Sequence, residues 1–440
     1  MRRKLSRRRF ITLAATTAAA GPFFVFPNLT FASQRKLRIA HWAHFVPEYD
    51  RWFDGEYVKE WGKRHDTEVV VTRIPIDQIN ARAAAEVATR KGHDLFLFPA
   101  PPAIFHRHVI DHAEVYDTAA RRHGNISPFA HKSTYDPRTK RYFAFTDSWI
   151  PAPLHFFQNC WSEINMPLGP PSFDSLRSGV RRIHAQSGIP CGLSFAPRLD
   201  GNITLQAVLW GFRAFVQDPG GRFKFNQNLS TQAFKYAKAL YDDAGTPEQL
   251  TWGPSGNAQA MLTRKTSCTI NAISLLREAE QEFPDVARNI LLKPPMLGMD
   301  GVMGPPHVTN CWAIWNFAEN KTGAVQFLAD LADNSRTVYE KSRSCNFPMY
   351  QNTVPNLIVR LSKDPKADPA WKYESLKDAL HWTRNLGYPG YATPAAMEVF
   401  NTSVFPTIIA SVVKGEVSPE DGAREAEKRA RVIFEKWKQV

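Results

Sequence analysis

The chain has 440 residues, 43% of them hydrophobic and 22% charged, which is the composition of a globular protein and excludes a disordered or fibrous one. That length exceeds one ordinary hydrophobic core and suits two lobes. Its net charge of +13 falls to about +7 once the six basic residues of positions 1–32 are subtracted, and no basic stripe or recognition motif follows, which excludes nucleic acid as a partner.

The basic start, Met1 to Arg9, runs into an uncharged stretch from Phe10 to Gln34, the pattern of an export signal. Within it, Ser6-Arg7-Arg8-Arg9-Phe10-Ile11 resembles a twin-arginine motif. Thr12, Thr16, Thr17, Gly21, Pro22 and Pro27 dilute the stretch below what a spanning helix of about 20 apolar residues needs. Small residues at Thr30 and Ala32 point to cleavage after Ala32, with a cut nearer Ala20 as the alternative. No cysteine lies near that junction to carry a lipid. The five cysteines, Cys160, Cys191, Cys268, Cys311 and Cys345, show no C-x-x-C spacing and read as unpaired core residues.

After the signal, Lys36 to His41 reads as a strand. Trp52, Phe53, Tyr57, Val58 and Trp61 then recur at helical spacing between Pro47 and His65. Glu68 to Arg73 is a second strand. Asp77 stands as the cap of a helix with an apolar stripe of Ile79, Ala83 and Val87, which Gly92 closes. Asp94 to Phe98 is a third strand. This alternation predicts an α/β fold with a parallel sheet, and such sheets bind ligands beyond the carboxyl ends of their strands. Arg141 to Cys160 is strand-like, and a proline-rich loop from Met166 to Pro171 precedes a helix carrying Leu176, Val180 and Ile183. Residues 200–285 read as mostly helical. The last helix has Ser418 as N-cap, Pro419 in its first turn and a stripe of Ala423, Ala426, Ala430, Ile433 and Trp437.

In this order, Ala84 to Phe98, Thr139 to Phe145, Pro171-Ser-Phe-Asp-Ser-Leu176, Cys311 to Leu328 and Val413 to Ala423 resemble segments of the extracellular solute-binding proteins of ABC importers, the family that includes maltose-binding proteins. Two segments depart from the family pattern, Phe157-Gln-Asn-Cys160 and Arg264 to Cys268. The resemblance implies a two-lobe periplasmic-binding-protein fold with discontinuous lobes and a three-crossover hinge. Crossovers are expected near Phe145–Trp149, Leu292–Pro294 and Arg343–Phe347. The N-terminal lobe then takes residues 36–146 plus 294–343, and the C-terminal lobe 147–293 plus 344–440, behind a signal peptide at 1–32. It further implies a monomeric periplasmic receptor that delivers a small-molecule solute to an inner-membrane permease, with no cofactor and no catalysis.

Enzyme signatures such as G-x-S-x-G, H-E-x-x-H and phosphate-loop glycines are missing from the sequence. His106, His108, Asp111 and His112 form the densest metal-capable cluster, read here as a solvated helix rather than a metal site. The aromatic residues are the functional lead, because sugar rings bind to flat aromatics flanked by placed polar groups. Expected cleft residues are Trp42, His44 and Glu48 after the first strand, Asp147 and Trp149 at the first crossover, and Trp210, Trp252, His307, Asn310 and Trp312 further on. The same tryptophans with Asp147 and Glu48 also suit a cationic, polyamine-like ligand. An exported carbohydrate-active hydrolase is the remaining alternative.

Overall fold

The computed structural model of the protein describes residues 35–439, so the export signal and its cleavage point lie outside the described residues. The first strand, β1 (Arg35–Trp42), leads into the expected aromatic helix, which is built in three parts: α1 (Pro47–Trp52), a π-helical turn (Phe53–Tyr57) and α2 (Val58–Arg64). In that turn the Val58 N–H donates to the Phe53 carbonyl. The extra residue it accommodates keeps Tyr57 and Trp61 on the buried face of Phe53.

Next come β2 (Thr67–Ile74), α3 (Ile79–Thr89) and β3 (Leu95–Phe98). The helix ends differ from expectation. Gln78 is the N-cap residue, because Asp77 belongs to a preceding 3-10 turn. Arg90, in the left-handed region at φ 52°, ends the helix in place of Gly92. Gly92 serves a close approach instead, since a Cβ there would stand 2.2 Å from the Glu86 carboxylate that takes the His93 backbone and ring N–H groups.

After α4 (Ala113–His123), β4 (Phe145–Pro151) returns to the same sheet, while β5 (Leu154–Phe157) starts a second one. The first crossover therefore falls at Ala152-Pro153. It does not fall within Phe145–Trp149, and a lobe boundary between residues 146 and 147 cuts a paired strand. Pairing of Trp149 with Thr309 and Ile150 with Val308 holds the chain in the sheet until prolines remove the donors.

The second lobe holds α5 (Phe173–Ser187), α6 (Leu199–Gly211), α7 (Gln227–Ala244), β6 (Cys268–Ile270), α8 (Ser274–Glu282) and β7 (Ile290–Lys293). Ser172 caps α5 in a reciprocal box with Ser175, and Leu176, Val180 and Ile183 are buried as expected. The chain then recrosses into β8 (Pro306–Ile314), continues through α9 (Lys321–Asp333) to the short β9 (Phe347–Pro348), and ends in α10 (Pro394–Asn401), α11 (Val404–Val413) and α12 (Pro419–Lys438). The second crossover thus follows Lys293, inside the expected Leu292–Pro294, and the third follows Pro348, just past the expected Arg343–Phe347.

The large sheet has the order β9-β4-β8-β3-β1-β2, and the small one β6-β5-β7. β1 pairs in parallel with β2 and β3, whereas β8 runs antiparallel to β3 and β4. This is a two-lobe α/β architecture. In α12, Ser418 Oγ accepts the Asp421 N–H at 3.0 Å, and Ala423, Ala426, Ala430 and Phe434 are buried. Ile433 and Trp437 sit at the edge of that face, with the Trp437 ring 5.9 Å from His106 of the large-sheet lobe. All five cysteines are buried and unpaired, the Cys191 and Cys268 sulfurs standing 3.9 Å apart.

The histidine cluster is corrected. Residues 106–112 are irregular, and the helix begins only at Ala113. His112 is buried, donating from Nδ1 to the Tyr142 carbonyl and accepting the Ile314 N–H on Nε2, both at 3.0 Å. Among the described residues, no group of three or more His, Cys, Asp or Glu side chains is placed to hold a metal ion.

Burial also pushes the pKa of His155, on β5, down to about 3. It stays neutral in the fold while the unfolded chain takes up a proton near pH 6.5. Its contribution is therefore present above pH 6.5 and lost as pH falls toward 3. Relative to His155→Leu, the parent should lose about 3 kcal/mol between pH 7 and pH 4, read from urea melts at each pH.

Candidate functional site: a cavity between the lobes

Because β1, β2 and β3 are parallel neighbours, the segments that follow them emerge side by side: Phe45, Ile76 with Asp77 and Asn80, and Pro99 with Ala100. Facing them are the start of α6, with Arg198, Asp200 and Asn202, and the α10–α11 junction, with Phe400, Asn401 and Ser403. Together with His307 they enclose a cavity of about 200 Å³. It lies where the carboxyl-end rule for such sheets puts a ligand.

His307 reaches this cavity by way of a bulge. Pro306 opposes Pro151 and Val308 opposes Ile150, so His307 is an extra residue in β8, turned out of the ladder. Its Nε2 donates to Asp200 Oδ1 at 2.8 Å, which ties β8 of one lobe to α6 of the other. Asp200 Oδ2 and His307 Nδ1 are buried and have no protein partner. Nearer the mouth, Arg198 and Asp77 pair across the lobes at 3.4 Å, and Asn202 Nδ2 donates to Ser403 Oγ at 2.9 Å. The Phe45 ring stands edge-on to His307 with centroids 5.4 Å apart.

Of the ten residues expected at the cleft, the structure places His307 on the cavity wall. Trp42 and His44 lie just behind Phe45, stacked at 5.1 Å. His44 bonds Asn346 Oδ1 through Nε2 at 3.0 Å, and burial lowers its pKa to about 4. Glu48 is held by Arg343, away from the cavity. Asp147, Trp149, Asn310 and Trp312 belong to the core of the large sheet. Asp147 accepts from Trp312 Nε1 and Ser148 Oγ, both at 2.8 Å, and burial raises its pKa to about 6. Asn310 donates to Ser148 Oγ, while Trp149, fully buried, packs between Phe129 and Phe347 at 5.3 and 5.5 Å. Trp210 is buried against Tyr388, and the half-buried Trp252 packs over Gly256. Placing the first crossover too early is what carried Asp147 and Trp149 to the cleft.

Asp77, Asn80, Arg198, Asp200 and Asn202 were missed. The carboxyl-end rule, applied after β2 as it was after β1 and β3, reaches Asp77 and Asn80. Nothing local marks the α6 residues, which arrive from the other lobe. A larger groove of about 580 Å³ opens beside α8, where Arg277 pairs with Glu280 and Asp364, Arg360 with Glu340, and Arg343 with Glu48 outside the groove.

The fold is the two-lobe fold seen in periplasmic binding proteins. A Synechococcus protein, provisionally named an oligosaccharide periplasmic-binding protein and solved with zinc, superposes with a TM-score of 0.76 at 18% identity, over 91% of this chain and 99% of its own. The maltose-bound MalE3 of T. maritima gives 0.73 at 14%, covering 90% and 99%. The GacH receptor of Streptomyces glaucescens, solved unliganded and with acarbose, gives 0.72 at 16%, covering 91% and 99%. No family model and no curated sequence matches the chain.

With Trp149 in the core, Trp149→Ala should lower stability by about 3–5 kcal/mol in denaturant melts while leaving the affinity of the folded fraction unchanged.

Proposed function

We propose that this chain is a non-catalytic periplasmic receptor of an ABC importer, which captures a sugar, polyol or similar small solute between its lobes and delivers it to the inner-membrane permease. The observation that carries the reading is a cavity whose walls come from both lobes, in a fold whose named neighbours hold maltose and acarbose. A ligand touching both walls favours the closed arrangement by its differential affinity for that state. Hinge closure then presents a different surface to the permease. The mature chain acts as a monomer after twin-arginine export and cleavage near Ala32.

A cationic ligand loses its basis, because Asp147 and Glu48 both have other partners and neither reaches the cavity. The hydrolase reading needs two free carboxyl groups, whereas the cavity's Asp77 and Asp200 are each paired.

In a thermal-shift screen of the mature protein, a cognate sugar or polyol at 100 times its Kd should add about 2.7 kcal/mol of stability. Small-angle scattering should show a smaller radius with ligand, and the ligand should be recovered intact. Stabilisation by amines alone, or turnover of a glycoside, overturns the reading. For export, replacing Arg7 and Arg8 together by lysine should hold the precursor in the cytoplasm, as cell fractionation reads.

A further inference from the structure

We infer that the Asp200–His307 pair is the ligand clasp as well as a tie between the lobes, and that it selects a neutral solute of one-ring size presenting two adjacent hydroxyls. The inference rests on the receptor reading above. It names the substrate class of that site.

An ionised carboxylate only accepts hydrogen bonds, so the 2.8 Å contact places the proton of the imidazole on His307 Nε2. Asp200 Oδ2 and His307 Nδ1 are then two buried atoms without protein partners on neighbouring side chains, and a hydroxyl, which both donates and accepts, can complete either one. A buried polar atom without a partner is costly, and a ligand that brings two hydroxyls removes that cost twice. Adjacent hydroxyls of a sugar or polyol do so, with the Asn80 amide on the same wall as a further hydrogen-bonding group.

Charge and size narrow the class. Asp77 and Arg198 neutralise one another across the mouth. An anion meets Asp200 head-on, and binding of the diamine in place of the sugars and polyols overturns the neutral class. The 200 Å³ enclosed while that pair spans the mouth is roughly seven water volumes at about 30 Å³ each. A single pyranose or a five- or six-carbon polyol is of that size; a disaccharide is about twice it. Phe45, Leu199 and Phe400 give the ring's C–H face an apolar wall.

Calorimetric titration of the mature full-length receptor tests this with monosaccharides, their monodeoxy derivatives, linear polyols, the matching disaccharides and a diamine. The expected result is that a monosaccharide or polyol binds and that removing one hydroxyl of a vicinal pair weakens it at least tenfold. Discrimination of that kind follows when a site's buried polar groups lose their partner. In Asp200→Asn and His307→Gln the same deoxy analogue should be disfavoured less than threefold. Because the deoxy series runs on the unaltered protein, it stands even where a variant folds poorly. If a one-ring ligand binds but no deoxy analogue loses affinity, the clasp is overturned and the receptor reading survives. Binding of disaccharides to the exclusion of single rings overturns the size class alone. Failure of every sugar and polyol to bind overturns the receptor reading, and the inference with it.

Discussion

The arrangement depends on one constraint, the antiparallel pairing of β4 with β8 in the middle of the large sheet. Each of these strands meets a crossover at its proline-bearing end, Pro151 to Pro153 on one side and Pro305-Pro306 on the other. Their shared register fixes where the chain leaves one lobe and enters the other. The bulge at His307 sits at that end of the pair, which brings an imidazole out of the ladder and against a helix of the opposite lobe. A second irregularity in the same pair, beside Asn310 and Cys311, leaves Asp147 unopposed on β4. Asp147 turns instead to Trp312 and Ser148 inside the lobe.

These two acids show how burial separates structure from binding. Both oxygens of Asp147 have protein donors, so its carboxyl is complete without anything from outside. Glu86 is similarly completed by His93 and Arg82. Asp200 is satisfied on one oxygen and left open on the other, and its partner histidine repeats the pattern. Asp136 and Glu280 also keep one buried oxygen without a partner, but of these acids Asp200 is the one on the interlobe cavity wall, where an outside molecule can complete the network.

The order of strands and helices was legible because period and punctuation agree with burial. The apolar run from Leu95 to Phe98, the Ser172 cap and the Ala423, Ala426, Ala430 stripe are all used as the pattern suggests. The site was far less legible. Aromatic content pointed to the cleft, yet Trp42, Trp149 and Trp312 are nearly inaccessible and build the core of the large sheet with Phe53 and Phe347. A tryptophan buries more apolar area than any other side chain, so position near a strand end does not separate packing from stacking. The real wall is made of residues with no individual signature. Asp200 and Ser403 are brought opposite Asp77 only by the three crossovers, and a crossover shifted by a few residues moves every assignment that hangs on it.

One contact at the far end of α12 has a consequence of another kind. The half-buried Trp437 indole rests on His106, so a helix of the small-sheet lobe ends against a turn of the large-sheet lobe. Any movement of α12 away from that turn takes the Trp437 ring from beside His106 toward water, so the emission of this indole reports the distance between the two elements without an added label.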